Sequence, residues 1–407
     1  MVKQTVSAHI SVRIATRQPF VRNSFTWLAY LMLGYFAYLQ AALGPLMPFL
    51  RAELHLSYVI GSLHVSAFAL GTILAGLFSD RIAQRLGRRT AFWIGGIGMA
   101  VGAVCLTLGI NVILTITSSF VMGLFGSLLL VMIQATLSDQ YQEQRAVALT
   151  EANVLASIGA GLAPALIGLF QPSVFGWRGT LYTAVAVFVV LSLIFWRVAV
   201  PQRPQNVERG VNNKRVTLPV AFWTYWVALV CCVAAEWCIY VWSVDFLHTA
   251  VGLSSNAAAF TLSLFFFVSV VSRFIGSRLT RVMRGPTLLL IALAITCIGF
   301  PIYWLSPSGP LLWLNLLGLF ISGLGVANLF PFALSVATST SPRQADTASA
   351  RLSLGAGIAI FLAPFALGWA ADHFDIQRAF SIVLILLLMA VGATLFANRL
   401  AKVSVEH

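Results

Sequence analysis

Between Thr26 and Arg399 the chain runs through twelve stretches of roughly 20 mostly apolar residues, each long enough to cross a bilayer as a helix. That length leaves few options, because in lipid a backbone segment must satisfy its own polar groups, as a helix does, or join a closed barrel. The breaks between stretches fall near residues 51–56, 80–89, 110–111, 139–146, 172–177, 200–219, 248–255, 280–286, 306–309, 339–346 and 372–376. Only 9% of the 407 residues are charged and 59% are hydrophobic, where a soluble domain carries about a quarter charged. The expected fold class is an all-α membrane protein of twelve transmembrane helices. Pro45, Pro48, Pro164, Pro301, Pro331 and Pro364 lie inside these stretches and are expected as kinks rather than ends, since neighbouring groups in a membrane bundle can satisfy the freed carbonyls.

Lysine and arginine are retained on the cytoplasmic side, so their distribution gives the orientation. With the N-terminus inside, all of the 25 basic residues fall in the tails and inner loops except five: Arg51, Arg178 and Arg378 outside, and Arg273 and Arg351 within spans. Both termini are therefore expected in the cytoplasm, in a cell's inner membrane. The net charge of +13 reports this topology and gives no support to nucleic-acid binding. The N-terminal 24 residues have four basic and no acidic side chains; a positive cytoplasmic tail and a transit-like segment both fit. The five cysteines lie in spans without metal-ligand spacing and read as packing residues, and no metal or other cofactor is implied.

The chain also repeats itself. Ala163-Pro164-x-x-x-Gly168 recurs as Ala363-Pro364-x-x-x-Gly368, and the same offset pairs Gly76 with Gly276, Arg81 with Arg281, Gly123 with Gly323 and Arg178 with Arg378. This divides the protein into a cytoplasmic tail (1–25), a six-helix half (26–199), a polar cytoplasmic linker (200–219), a second six-helix half (220–399) and a C-terminal tail (400–407). Two parallel repeats suit alternating access, in which halves rock about a central site.

Gly76-x-x-x-Asp80-Arg81, followed by Gly87-Arg88-Arg89 between spans two and three, together with two six-span halves and a long loop after the sixth, resembles the major facilitator superfamily. The resemblance implies that the loop is a gate element, with Asp80, Arg81, Arg88 and Arg89 working with an acidic partner, for which Asp139 is placed at the end of span four. Ordinary positive-inside anchoring accounts for the same arginines. Two departures stand out: Ile82 to Leu86 intervene before Gly87, leaving the loop geometry open, and Thr280 replaces the aspartate in the second half. Gly159-x-Gly161-x-x-Pro164-x-x-x-Gly168 resembles the glycine-proline motif of family antiporters, although close helix packing alone would select the same residues. The arginine that those antiporters often carry in span four is absent, with Ser119 in its place.

Charges inside the membrane are costly, about 2.5–3.5 kcal/mol on insertion scales, and each needs a partner or a purpose. Glu236, about fifteen residues into span seven, is the carboxylate at mid-depth. It is a candidate proton carrier or counter-charge for a cationic substrate, with simple packing as the alternative. The resemblance implies that spans one, four, seven and ten line a cavity. Phe36, Tyr38, Gln40, Gln134, Trp237, Tyr240 and Asn328 are then candidate wall residues. Arg273 and Arg351 allow two readings: latches to Glu151 and Asp80 that form when the cytoplasmic gate closes, or ligands of an anionic substrate. Asp245 is expected near the outer end of span seven in contact with water, and His64 as a packing residue.

The function these features imply is secondary active transport of a small organic solute by alternating access, proton-coupled, in a monomer. Export of drugs or metabolites and import of a sugar or organic anion remain alternatives, and so does a non-transporting sensor. No enzyme is expected, because no nucleophile, base and orienting group recur at workable spacing. The Gly-x-x-x-x-Gly-Lys pattern of nucleotide-binding loops is absent, so ATP is not expected as the driving force.

Overall fold

The structure is a computed structural model and describes residues 20–202, 218–305, 311–341 and 344–403. Most of the N-terminal tail, the centre of the linker, the break at 306–309 and the end of the C-terminal tail lie outside the described residues. The elements are α1 (Ser24–Leu54), α2 (Tyr58–Leu86), α3 (Arg88–Leu108), α4 (Val112–Tyr141), α5 (Arg145–Phe170), α6 (Arg178–Phe195), α7 (Val220–Thr249), α8 (Ser255–Leu279), α9 (Gly285–Leu305), α10 (Leu312–Ser339), α11 (Ala345–Phe374), α12 (Ile376–Ala379) and α13 (Ser381–Val403). Among the described residues, eleven helical stretches are long and apolar enough to cross a membrane. One of them, Val112–Phe170, holds both α4 and α5, joined by the single 3-10 turn Gln142–Gln144, so twelve long helices result.

Local chemistry sets the ends. Asn23, Ser57, Asn111 and Ser254 stand at N-caps and accept a backbone N–H of the first turn of α1, α2, α4 and α8. The helices continue through Pro45, Pro48, Pro164, Pro301, Pro331 and Pro364. The segment from Gly76 to Arg89, expected as a loop, is mostly helix: Ile82 to Leu86 extend α2 by more than a turn, and the break is confined to Gly87. Gly87 sits at φ +80°, a conformation that a side chain resists, and α3 starts at the next residue.

The helices alternate in direction, so α1 starts and α13 ends at one face, called here the termini face. α1 to α6 form one bundle and α7 to α13 the other. The bundles meet through α5 on α8, α2 on α11 and α1 on α7. The repeat is visible in this packing. Gly123 lets α4 approach the backbone of Phe68 on α2, and Gly323 lets α10 approach Phe265 on α8. Gly168 lies against the Asn256 carbonyl of α8, and Gly368 against the Tyr58 carbonyl of α2; a Cβ would stand 2.8 and 2.9 Å from these oxygens. Both contacts join the two bundles at the face opposite the termini.

The glycine-proline segment of α5 divides its work. Gly159 packs on Gly34 of α1, where a Cβ would lie 2.3 Å from a carbonyl oxygen, whereas at Gly161 the nearest atom is a Phe266 carbon at 3.5 Å. Gly159→Val is therefore expected to cost at least the 1–3 kcal/mol typical of overpacking, about that range or above. Gly161→Ala should stay within about 0.5 kcal/mol. Thermal unfolding of the two variants in detergent, scored against the parent, checks the contrast.

Candidate functional site

Between the bundles at mid-depth lies a cavity of about 350 Å³. Each wall is one stripe of a helix. On α1 the stripe is Leu33, Phe36, Ala37, Gln40, Ala41 and Gly44, and on α7 it is Val233, Glu236, Trp237, Tyr240 and Val241. These are the spacings of three and four that bring side chains to one helix face. α4 adds Leu130 and Gln134, α5 adds Asn153 and Ser157, and α8 adds Phe266, Ser269, Val270 and Arg273. Phe330 of α10, Ala356 and Ile360 of α11, and Ala156 and Ala160 of α5 complete the lining.

Glu236 is 6% exposed and accepts a hydrogen bond from the Tyr240 hydroxyl, one turn further on, at 2.7 Å. The Tyr240 ring is fixed against Phe266, at a centroid distance of 4.9 Å, and edge-on against Phe265. Arg273 approaches from α8: its Nη2 is 3.9 Å from Glu236 Oε1, and its Nε donates to the Ala327 carbonyl at 3.2 Å. Helical rise places these two Cα atoms at different depths, and the long arginine stem spans the difference.

Gln40, Phe36, Gln134, Trp237 and Tyr240 thus line the same cavity as Glu236. Asn328 does not. Its amide donates to the Ser272 carbonyl and hydroxyl at 3.1 and 2.8 Å and sits where Gly276 leaves room, tying α10 to α8. Tyr38 donates to the Thr180 carbonyl and is likewise part of the packing. Asn153, Ser157, Ser269, Phe266 and Phe330 are wall residues that the sequence reading passed over. The spacing of Phe266, Ser269, Val270 and Arg273 carried the signal.

The cavity is shut towards the face opposite the termini. Gly44 of α1 meets α7 so closely that a Cβ would lie 2.7 Å from the Val241 Cα. Beyond it, Arg51 Nη1 donates to Asp245 Oδ1 at 2.7 Å, with both side chains nearly buried, and the guanidinium lies 3.4 Å from the Tyr58 ring centroid. Asp372, at the end of α11, accepts the Tyr58 and Val59 backbone N–H groups at 2.7 and 2.8 Å. A carboxylate from one bundle therefore satisfies the exposed N-terminus of a helix in the other. Asp245, expected in contact with water, is instead buried and paired with Arg51 of the other bundle. His64 is buried and bonded to the Thr115 hydroxyl.

At the termini face the bundles diverge. Ile73 of α2 still approaches Gly357 of α11, but at Gly76, one turn nearer that face, a Cβ would meet nothing within 4 Å. Arg88 pairs with Asp139 at 2.6 Å and Arg89 donates to the Trp196 carbonyl, which braces the start of α3 within its own bundle. Asp80 and Arg81 are exposed at the end of α2. The expected latches are not formed in this conformation. Glu151 is held by Arg22, at 2.5 and 2.8 Å, and by Tyr30, all within its own bundle. Arg273 points into the cavity, and among the described residues no ion pair links the exposed Arg351 to Asp80.

A family model described as Major Facilitator Superfamily matches residues 26–345. The chain belongs to that superfamily. It is a multi-pass membrane transporter of the secondary kind. It is 24% identical over 410 residues to an uncharacterized MFS-type transporter of Yersinia pestis, covering 98% of both proteins. A bacterial homologue of the human lysosomal transporter spinster, solved inward-facing and unoccupied, matches with a TM-score of 0.74 at 15% identity, over 92% of this chain and 97% of that one. A D-xylose-proton symporter matches with the same TM-score at 14% identity, over 92% and 96%. At such identities these structures speak for the fold.

Removing one member of a buried ion pair leaves the other uncompensated, at a cost of about 3–5 kcal/mol. Arg51→Leu should therefore shift this transporter away from closure at the face opposite the termini. Spin labels at the exposed positions 174 and 311, on the two bundles at that face, report it. Electron-resonance distances between them should lengthen or broaden in the variant. An unchanged distribution would show that the pair does not hold this face shut.

Proposed function

We propose that the protein is a proton-coupled transporter of a small organic solute, acting as a monomer in a cell's inner membrane with the termini face in the cytoplasm. The observation that carries the reading is Glu236. Among the described residues it is the carboxylate that lines the cavity, and its neighbours are a hydroxyl donor and a guanidinium. A carboxyl placed so can exchange a proton when the cavity is open to water and keep it while the bundles rock. The distribution of lysine and arginine supports the orientation. The D-xylose-proton symporter of the same architecture supports the compatibility of the fold with proton coupling.

In this reading the present conformation is open to the cytoplasm. Asp80, Arg81, Arg88, Arg89 and Asp139 belong to the gate on that side, and Arg51, Asp245 and Asp372 to the gate on the other. The mid-depth cavity, with three amides from α1, α4 and α5 among apolar and aromatic side chains, fits a solute with few polar groups.

The test is purified protein in liposomes containing a pH-sensitive dye, challenged with a panel of sugars, carboxylates and amines. Solute-dependent proton movement is expected, and it should vanish in Glu236→Gln. Full proton coupling in that variant would refute the assignment.

A further inference from the structure

Resting on the coupling role proposed for Glu236, we infer that the solute is a small organic monoanion with an apolar, ring-sized body, whose charge is taken by Arg273 when Glu236 carries a proton.

Among the described residues, the pair that faces the cavity is looser than the ion pairs that join distant parts of the chain, and the local Arg378–Asp375 contact, at 3.5 Å, is the other loose one. Arg22–Glu151, Arg51–Asp245 and Arg88–Asp139 close to 2.5, 2.7 and 2.6 Å. Glu236–Arg273 stops at 3.9 Å. Glu236 accepts its hydrogen bond from the Tyr240 hydroxyl instead, and of the Arg273 nitrogens only Nε has an acceptor among the described residues. The Arg273 side chain is 46% exposed, against 8% for Glu236. The guanidinium is thus near enough to balance the carboxylate, while its two terminal nitrogens remain available to a ligand, in the fork geometry that suits a carboxylate.

Charge balance then selects the solute. Among the described residues, Glu236 meets Arg273 of α8 and Tyr240 of its own helix, and Cys232, one turn earlier on that helix, is the further titratable group near it. α1, α4 and α5 present neutral amides, and α10 and α11 present apolar side chains. With Glu236 ionised, the empty cavity is neutral. A proton on Glu236 leaves Arg273 uncompensated, at a cost that rises as the bundles close over the cavity and exclude water. An anion restores neutrality; a cation would pair with Glu236 and strand Arg273, and a neutral solute would give no reason for a proton to bind. The empty cavity is balanced with the pair ionised, and of the loaded states that carry a proton the one with an anion is balanced. The proton and the solute therefore travel together. The body of the solute meets Phe36, Trp237, Tyr240, Phe266 and Phe330, whose rings favour a flat apolar group.

Benzoate, benzamide and benzylamine have nearly the same size and differ in charge, so they serve as probes. Calorimetric titration of the purified protein in detergent, in two buffers of different ionisation enthalpy, reads affinity and protons taken up. Benzoate should bind with uptake of one proton and weaken as pH rises. Benzamide and benzylammonium should bind about tenfold or more weakly, the loss expected for a missing charged hydrogen bond. Arg273→Gln should abolish the preference for benzoate and Arg273→Lys should keep part of it. Glu236→Gln should bind benzoate without proton uptake. Equal binding of benzoate and benzamide by the parent protein, or no binding of any probe, overturns the inference whether or not the variants fold. So does a benzoate preference that survives in Arg273→Gln. Liposome assays separate this from the broader reading. Proton movement that needs Glu236 but is driven by benzamide or benzylamine removes the anion and leaves coupling intact. Arg273-dependent benzoate binding with no proton movement removes coupling and leaves the anion site.

Discussion

The two bundles are held together at one face by contacts that leave no room for a side chain. Gly44 against Val241, Gly168 against Asn256 and Gly368 against Tyr58 bring backbone to backbone, which apolar helices in lipid require because no hydrophobic force drives them together there. Around these contacts lie the Arg51–Asp245 pair and the Asp372 carboxylate on the N-terminus of α2. The cavity exists because this closure is one-sided: the helices touch at Gly44 and diverge past Gly76. A buried ion pair suits a gate of this kind, since its attraction is largely offset by the cost of desolvation. Two conformations can then remain close in free energy, as rocking requires.

Electrostatics inside the cavity follow a different rule from those at the gates. The gate and bracing pairs are tight and bind elements to one another. The Glu236–Arg273 contact is loose, and its members are anchored separately, one by Tyr240 and the other by the Ala327 carbonyl. Separate anchoring lets Glu236 change its charge state, or Arg273 its ligand, without disturbing a helix. A tight bidentate pair at this place would lock the cavity in its empty form.

Much of the architecture was legible in the sequence, for physical reasons. Apolar stretches of spanning length, prolines tolerated within them and the 200-residue offset all reflect constraints that lipid imposes on backbone. The placement of Gln40, Gln134, Trp237 and Tyr240 beside Glu236 was legible too, because the family resemblance implies which helices line the centre. Rotation about each helix axis was not. α4, α7 and α10 are apolar on nearly every face, so no polar stripe says which side looks inward. Asn328 therefore read as a wall residue although it serves the α8–α10 contact. Position along the helix axis does not give the reach of a long side chain: the Arg273 stem brings its guanidinium to Glu236 from a different depth. Nor could a single helix show that Asp245 meets Arg51 of the other bundle, or that Arg22, in the tail before α1, takes the acid expected for Arg273. Ile82 to Leu86 read as loop because of their charged surroundings, yet only Gly87 interrupts the helix.

The central claim is that Glu236 changes protonation as the cavity fills. Infrared difference spectroscopy on the reconstituted protein measures it directly, through the carbonyl stretch of a protonated carboxylic acid recorded with and without solute. Filling the cavity should produce this band, and Glu236→Gln should lose it while Asp245→Asn retains it. Solute binding with no such band, or a band that persists without Glu236, would contradict the account.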